Sequence, residues 1–307
     1  MNHSKIPLEN CGVVAPVIEI IRKAEVKRFY SLLFLIALLL VSCSTIPSKY
    51  IYEDGATLVG ADGKPIELIN NPNATNPTYA ELVAFIKEDP TDEGAYMSFA
   101  SNSSFAFLGN TCGDFAEAVH NNAEELGIRA AFVSIYFEGE DEGHALNAFE
   151  TTDKGSVYID CTGQDLGSWL VEHKVKIDKT TGKITFEEES LTSWDKIAYV
   201  EVGKEYVVID IAKAKSLSYS FYEEYKRKWQ EYQELLSDYN EEVARYNQEI
   251  RGKIYYEGTP ELARIEAWEE TLREQEQELN ELEEELGDQW LEPLGVVEDI
   301  NIYWGDS

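Results

Sequence analysis

The spacing of hydrophobic residues changes several times along this chain, and each change marks a different element. Phe29–Ser48 carries no charged residue, and Leu32–Val41 is almost wholly Leu, Ile and Phe. Residues 44–77 are polar and rich in turn pairs (Asp62-Gly63, Asn71-Pro72, Asn76-Pro77), which reads as a spacer with a little strand. A helix is predicted next. Thr78 and Glu81 form a capping box, Leu82, Val83, Phe85 and Ile86 supply an apolar face, and Asp89-Pro90 stops it. A second helix is predicted from Thr111-Cys112. Its apolar positions Cys112, Phe115, Ala116, Val119, Ala123 and Leu126 keep the helical period, and Gly127 closes it.

The period then shortens. Ala130–Phe137, His144–Phe149 and Ser156–Cys161 read as strands, the last two joined by Thr152-Asp153-Lys154-Gly155. Two further hairpins are predicted, Val175–Ile177 with Ile184–Phe186 around Thr181-Gly182, and Ala198–Val202 with Tyr206–Ile209 around Gly203-Lys204. Helices followed by an antiparallel run of strands make an α+β pattern.

From Ser218 the helical period returns. Tyr222, Tyr225, Trp229, Tyr232, Leu236, Tyr239, Val243, Tyr246 and Ile250 advance in steps of three and four. Gly252–Gly258 interrupts, Thr259 caps, Pro260 takes the first helical position, and Ile265, Trp268, Leu272, Gln275, Leu279, Leu282 and Leu286 form a second seam. The pair reads as an antiparallel coiled-coil hairpin about 43 Å long at ~1.5 Å per residue. Helix 260–286 carries 11 Glu and only 2 Arg, so its outer face is anionic. A last segment, Val296–Trp304, alternates Ile300, Ile302 and Trp304 on one strand face and is expected to return to the sheet. The expected organisation is a leader (1–42), a spacer (43–77), an α+β domain (78–215), the hairpin (216–290) and the returning strand (291–307).

Charge narrows the function. With 26 Lys+Arg against 58 Asp+Glu, the chain carries a formal −32, which excludes nucleic-acid binding through clustered cations. A hydrophobic fraction of 44% nevertheless supports a folded core. Arg22, Lys23, Lys27 and Arg28 precede the apolar run, the positive flank of an export signal. Phe29–Val41 suits a signal core and falls short of the roughly 20 residues that span a bilayer. It ends in Leu40-Val41-Ser42-Cys43, which resembles the lipobox of prokaryotic lipoproteins. That resemblance implies cleavage before Cys43, lipid on its thiol, and a protein tethered to the extracytoplasmic face of the cell membrane. An uncleaved signal anchor is the alternative.

Candidate chemistry is sparse. Phosphate loops, HExxH and Gly-x-Ser-x-Gly are absent, so neither a cofactor nor a metal is expected. Cys112 stands at a helix start, where unpaired N–H groups and the dipole favour a thiolate. Of the three histidines after the leader, His120 lies about 12 Å along the same helix and cannot reach it. His173 has no signalled partner. His144 opens a strand, and the next strand ends in Asp160. With the turn centred near 152–153, even-sum registers put Asp160 on the face of His144, and odd-sum registers put it on the other. The first arrangement makes Cys112 a nucleophile, His144 its base and Asp160 the orienter. Cys112 as a buried core thiol, or disulfide-bonded to Cys161, remains open.

These residues stand in a recognisable frame. Thr111-Cys112-Gly113-Asp114-Phe115-Ala116, Gly127-Ile128-Arg129-Ala130, Gly143-His144-Ala145 and Tyr158-Ile159-Asp160 resemble the transglutaminase-like superfamily over residues 78–162. The resemblance implies a papain-like core, with cysteine at a helix start and histidine and aspartate on successive strands. By position it makes Cys112, His144 and Asp160 catalytic. Leu146 departs from the Trp that many members carry two residues after the histidine, and Cys161 from the Pro that often follows the aspartate. The expected function is thiol-dependent amide hydrolysis or acyl transfer through a Cys112 thioester, on a protein or peptide amide. The competing expectation is an inactive surface module that binds a protein partner through the acidic hairpin. The leader supplies its own test. Cys43 should be the lipid-bearing N-terminal residue in an intact mass of the detergent-extracted protein, and a chain retaining residues 1–42 would support the signal anchor instead.

Overall fold

In a computed structural model of the chain, the residues described are 48–53, 55–97, 109–165, 176–177, 184–185, 194–287 and 290–305; the leader with Cys43, and His173, lie outside them. Short strands come first: β1 (Ser48–Tyr50), β2 (Tyr52–Glu53), β3 (Ala56–Thr57) and β4 (Glu67–Ile69). Helix α1 (Tyr79–Glu88), a 3-10 turn (Pro90–Glu93), β5 (Ala95–Tyr96), β6 (Gly109–Asn110) and α2 (Cys112–Glu125) follow. Then come β7 (Ala131–Phe137), β8 (His144–Thr151), β9 (Gly155–Asp160), β10 (Lys176–Ile177), β11 (Ile184–Thr185), β12 (Lys196–Tyr199) and β13 (Val207–Asp210). The long helices α3 (Tyr219–Ile250) and α4 (Pro260–Leu286) precede β14 (Val297–Trp304).

The predicted capping box at Thr78 forms, and a second one stands at Thr111. Thr78 Oγ1 accepts from the Glu81 N–H, and Thr111 Oγ1 from that of Asp114, while each acidic side chain bonds back to the cap backbone. Asp89 ends α1 before Pro90, and Gly127 beyond α2 takes φ +79°, which only glycine adopts freely.

The sheet is a six-stranded antiparallel array in the order β13-β12-β9-β8-β7-β14. The chain is therefore a mixed α and β protein with an antiparallel sheet, as its pattern predicts. One face packs Phe149, Val157, Ile159, Ile197 and Ile209 against Leu82, Phe85, Ile86 and Val119 of α1 and α2. The other packs Val133, Ile135, Leu146, Ala148, Ala198 and Val297. That second face is covered because the sheet curls. Gly295 O accepts from Tyr206 N–H at 2.7 Å, and Val297 N–H donates to Lys204 O at 2.8 Å, so the entry to β14 bonds the β12–β13 connection. Both faces of β7 are buried, and its sequence is accordingly an almost unbroken apolar run.

Residues 48–77 are more than a spacer. β1 pairs with β4, and Ile51, Ile66 and Leu68 are buried against Ala116, Phe132 and Ala145. Strands of two or three residues are too short to show a period, which is why the sequence hid them. The β10–β11 hairpin pairs as predicted, Lys176 with Thr185 and Ile177 with Ile184. β14 does return to the sheet, yet Ile302 stays 41% exposed while Ile300 and Trp304 pack.

α3 and α4 run antiparallel. Lys228 meets Glu285 at 2.8 Å near their base, and Tyr246 meets Trp268 edge-on at 5.4 Å between ring centroids near the turn. Tyr222, Tyr225, Trp229 and Leu286 belong to the same cluster as Phe149 and Ile197, and Trp290 stacks on Tyr222 and Tyr225. Beyond Trp229 no α3 residue is fully buried. No helix among the described residues is long and apolar enough to cross a membrane.

This division predicts two different responses. Leu279 is 5% exposed and packs between the helices, so Leu279→Asp buries a charge at a cost of several kcal/mol and should unravel the outer hairpin while the sheet persists. Leu286→Asp strikes the shared core and should destabilise the whole molecule. Circular dichroism melts with hydrogen exchange separate the two; equal loss of sheet protection in both variants would contradict this division.

Candidate active site

Cys112 is the first residue of α2, and its position is set by how that helix is fixed. The capping box anchors the turn before it, with Asp114 Oδ2 accepting from the Thr111 N–H at 2.7 Å and the Ala61 N–H at 2.9 Å. The buried Asn147 of β8 donates through Nδ2 to Ala116 O at 2.8 Å, tying the helix to the sheet. Cys112 itself is half-buried and packs against the core cluster to which Phe132 and Ala145 belong.

His144 begins β8 opposite Ile135. Gly143 before it has no room for a side chain, because a Cβ there would lie 2.5 Å from Ile135 O. The β8–β9 register pairs Asn147 with Ile159 and Thr151 with Gly155, an even-sum register. Extended by one residue it sets Asp160 opposite Leu146, on the His144 face. His144 Nε2–H donates to Asp160 Oδ2 at 3.0 Å, which leaves Nδ1 for other partners, and His144 and Cys112 line one cleft.

Asp160 is buried, and its charge is answered on every side. Tyr206 OH donates to Oδ2 at 2.6 Å, Thr162 N–H donates to Oδ1 at 2.8 Å, and Lys196 Nζ lies 3.9 Å from Oδ1. Lys196 stands directly across from Asp160 in the β12–β9 pairing and donates to Thr162 O and Trp194 O, each at 2.7 Å. Burial alone would raise the Asp160 carboxyl; the Lys196 ammonium, then His144 and the Tyr206 hydrogen bond, hold it well below the usual carboxylate range. Burial likewise pulls His144 down, but the Asp160 charge and hydrogen bond, with Cys112, lift it to about 10. The Asp160 carboxylate thus favours the protonated form of the ring.

A cavity of about 370 Å³ opens at this pair, lined by Cys112, His144, Tyr96, Met97 and Ser134 among others. Among the described residues, no cluster of three or more His, Cys, Asp or Glu could hold a metal ion. No protein-family model, curated protein or solved structure matches the chain. Geometry and chemistry alone carry the functional reading.

The remaining candidates fall away from the site. Cys161 is buried in the core with Ile159, carries a free thiol as Cys112 does, and forms no disulfide with it. Burial and then the Asp195 carboxylate push that thiol well above its usual range. His120 is wholly buried and bonds Asn70 Oδ1 through Nε2 at 3.2 Å. Sequence reasoning missed Lys196 and Tyr206. A lysine opening the apolar run Lys196–Val200 was a usable signal, whereas Tyr206 announces nothing before the curl of the sheet is known.

Burial lowers His120 to about 4, which predicts an acid limb of instability. Above the unfolded value near ~6.5 neither state binds the proton, so this histidine leaves stability unchanged. Between about 6.5 and 4 the unfolded chain binds it and the fold does not, so stability falls by about 3 kcal/mol. Urea titrations at pH 7.5 and 4.5 should show His120→Gln losing less on acidification than the unsubstituted protein. Equal losses would mean that His120 titrates normally in the fold.

Proposed function

We propose that this protein is a thiol-dependent acyl-transfer enzyme or amide hydrolase, with a transglutaminase-like domain and an antiparallel coiled-coil hairpin. The observation that carries the reading is the buried His144 ring, bonded to Asp160 at 3.0 Å and lining the same cleft as Cys112. In this reading Cys112 Sγ attacks an amide carbonyl carbon as a thiolate. The carbon–sulfur bond forms, and the carbonyl oxygen gains negative charge near the Cys112 and Gly113 N–H groups, which the helix leaves unpaired. Nδ1–H of His144 protonates the departing amine as the carbon–nitrogen bond breaks, leaving a thioester. Water or a second amine then attacks, His144 recovers the proton, and the thiolate leaves. Asp160 remains ionised throughout and holds the ring, with Lys196 beside its other oxygen. The lipid anchor at Cys43 would set this chemistry on the extracytoplasmic membrane face, with the acidic hairpin offered to a protein partner.

Iodoacetamide labelling of the native protein, mapped by peptide mass, tests the nucleophile. Cys112 should label readily at neutral pH, and His144→Ala should slow it at least about tenfold. Asp160→Asn should slow it less, since its part is orientation, and His120→Gln should leave it unchanged. Cys161 should label only after unfolding. Labelling of Cys112 that ignores His144 would remove the enzyme reading in favour of an inactive binding module.

A further inference from the structure

We propose that Tyr96 is a catalytic residue, its phenolic hydroxyl donating to the substrate carbonyl oxygen as that oxygen gains negative charge. This rests on Cys112 being the nucleophile. Tyr96 lies between the two segments that carry the site. On one side β5 runs parallel to β6, and Tyr96 pairs with Asn110, two residues before Cys112. Met97 N–H donates to Asn110 O at 2.7 Å and fastens that pairing. On the other side Tyr96 N–H donates to Gln164 O at 2.7 Å, and Tyr96 bridges to Asp165, five residues beyond Asp160. Glycine permits the approach, because a Cβ on Gly163 would stand 1.9 Å from Gly94 O. The backbone of Tyr96 is thus held from both sides, and the residue lines the cleft with Thr111, Cys112, Gly113 and His144.

The state of the hydroxyl is a second observation. Two described tyrosines line the cleft, and they differ. Tyr136 OH is engaged, donating to Glu53 Oε2 at 2.5 Å. Tyr96 is half-buried, and among the described residues its hydroxyl has no hydrogen-bond partner. A phenol can donate or accept, so its surroundings decide which it does. Burial, then the charges of Cys112, Asp160 and Glu142, push Tyr96 up to about 12, so the oxygen keeps its proton at neutral pH. Attack moves the thiolate's charge onto the carbonyl oxygen, where a neutral donor stabilises it without bringing a charge of its own. The Cys112 and Gly113 N–H groups are the other donors to that oxygen. His144 is committed to the leaving amine, which leaves the phenol to the oxyanion.

Two small reagents test this on the full chain, because only one of them builds an oxyanion. With p-nitrophenyl acetate the Cys112 thiolate attacks the carbonyl carbon, p-nitrophenolate departs, and the acetyl group stays on sulfur as a thioester. With iodoacetamide the sulfur displaces iodide at a saturated carbon, and no oxygen gains charge. A Cys112→Ala blank is subtracted from both. Tyr96→Phe removes only the hydroxyl, which has no partner to lose. It should slow the p-nitrophenolate burst at least about tenfold, since one oxyanion donor typically carries ~10²–10³ in rate. Alkylation of Cys112 should stay within about twofold, and its dependence on pH should not move. A burst that Tyr96→Phe leaves unchanged overturns the proposal, as does a burst that falls only in step with alkylation, or the absence of a Cys112-dependent burst in the unsubstituted protein. Alkylation that ignores His144→Ala instead overturns the nucleophile itself, so the two failures read differently.

Discussion

A carboxylate in the interior of a sheet is tolerated only if its charge is neutralised in place, and Asp160 meets that condition with groups drawn from four stretches of chain. His144 comes from β8, Thr162 N–H from just beyond β9, Lys196 from β12, and Tyr206 from the entry to β13. Remove the lysine and the histidine must carry the whole neutralisation; remove the histidine and a buried ion pair remains with no link to sulfur. Breaking such a pair from one side typically costs ~3–5 kcal/mol. The arrangement is therefore as much a condition of the fold as of any reaction, and strand order follows it. β12 must lie beside β9 for Lys196 to face Asp160, and the sheet must curl for Tyr206 to reach the same oxygen.

Local chemistry made part of this legible in the sequence. The capping box at Thr78 needs only four residues, and the tight Thr151–Gly155 connection left two register classes for His144 and Asp160. The helical seams announced α3 and α4 by repetition. What stayed hidden depends on contacts between distant residues. Lys196 reads as an ordinary cation until its cross-strand partner is known, and Tyr206 gains its meaning only through Gly295. Ile51, Ile66 and Leu68 are core residues on fragments too short to show alternation. Ile302 shows the converse, an alternating position on an edge strand that the fold leaves two-fifths exposed.

The long helices illustrate how one pattern can serve two environments. The seam residues Tyr222, Tyr225 and Trp229 follow the same spacing as Tyr239 and Tyr246, yet the first three join the main core with Trp290 stacked on them. Helical periodicity reports which side of a helix is covered, and is silent about what covers it. The aromatic base ties the pair of helices into the sheet's own packing, with Tyr225 OH donating to Leu286 O at 2.5 Å.

The curl of the sheet also imposes an order of events. Tyr206 is held by Gly295 and Val297 is held by Lys204, while β14 pairs along the whole of β7. These contacts join segments separated by the entire helical pair, and such non-local closure is the slow part of assembling a fold. Cys112, His144 and Asp160 can approach one another early, since they lie within one helix and two adjacent strands. Their supporting tyrosine settles only when the last strand docks. A partly assembled chain would thus hold a sulfur and an imidazole in proximity without the frame that fixes them, and reactivity would mature together with closure of the sheet.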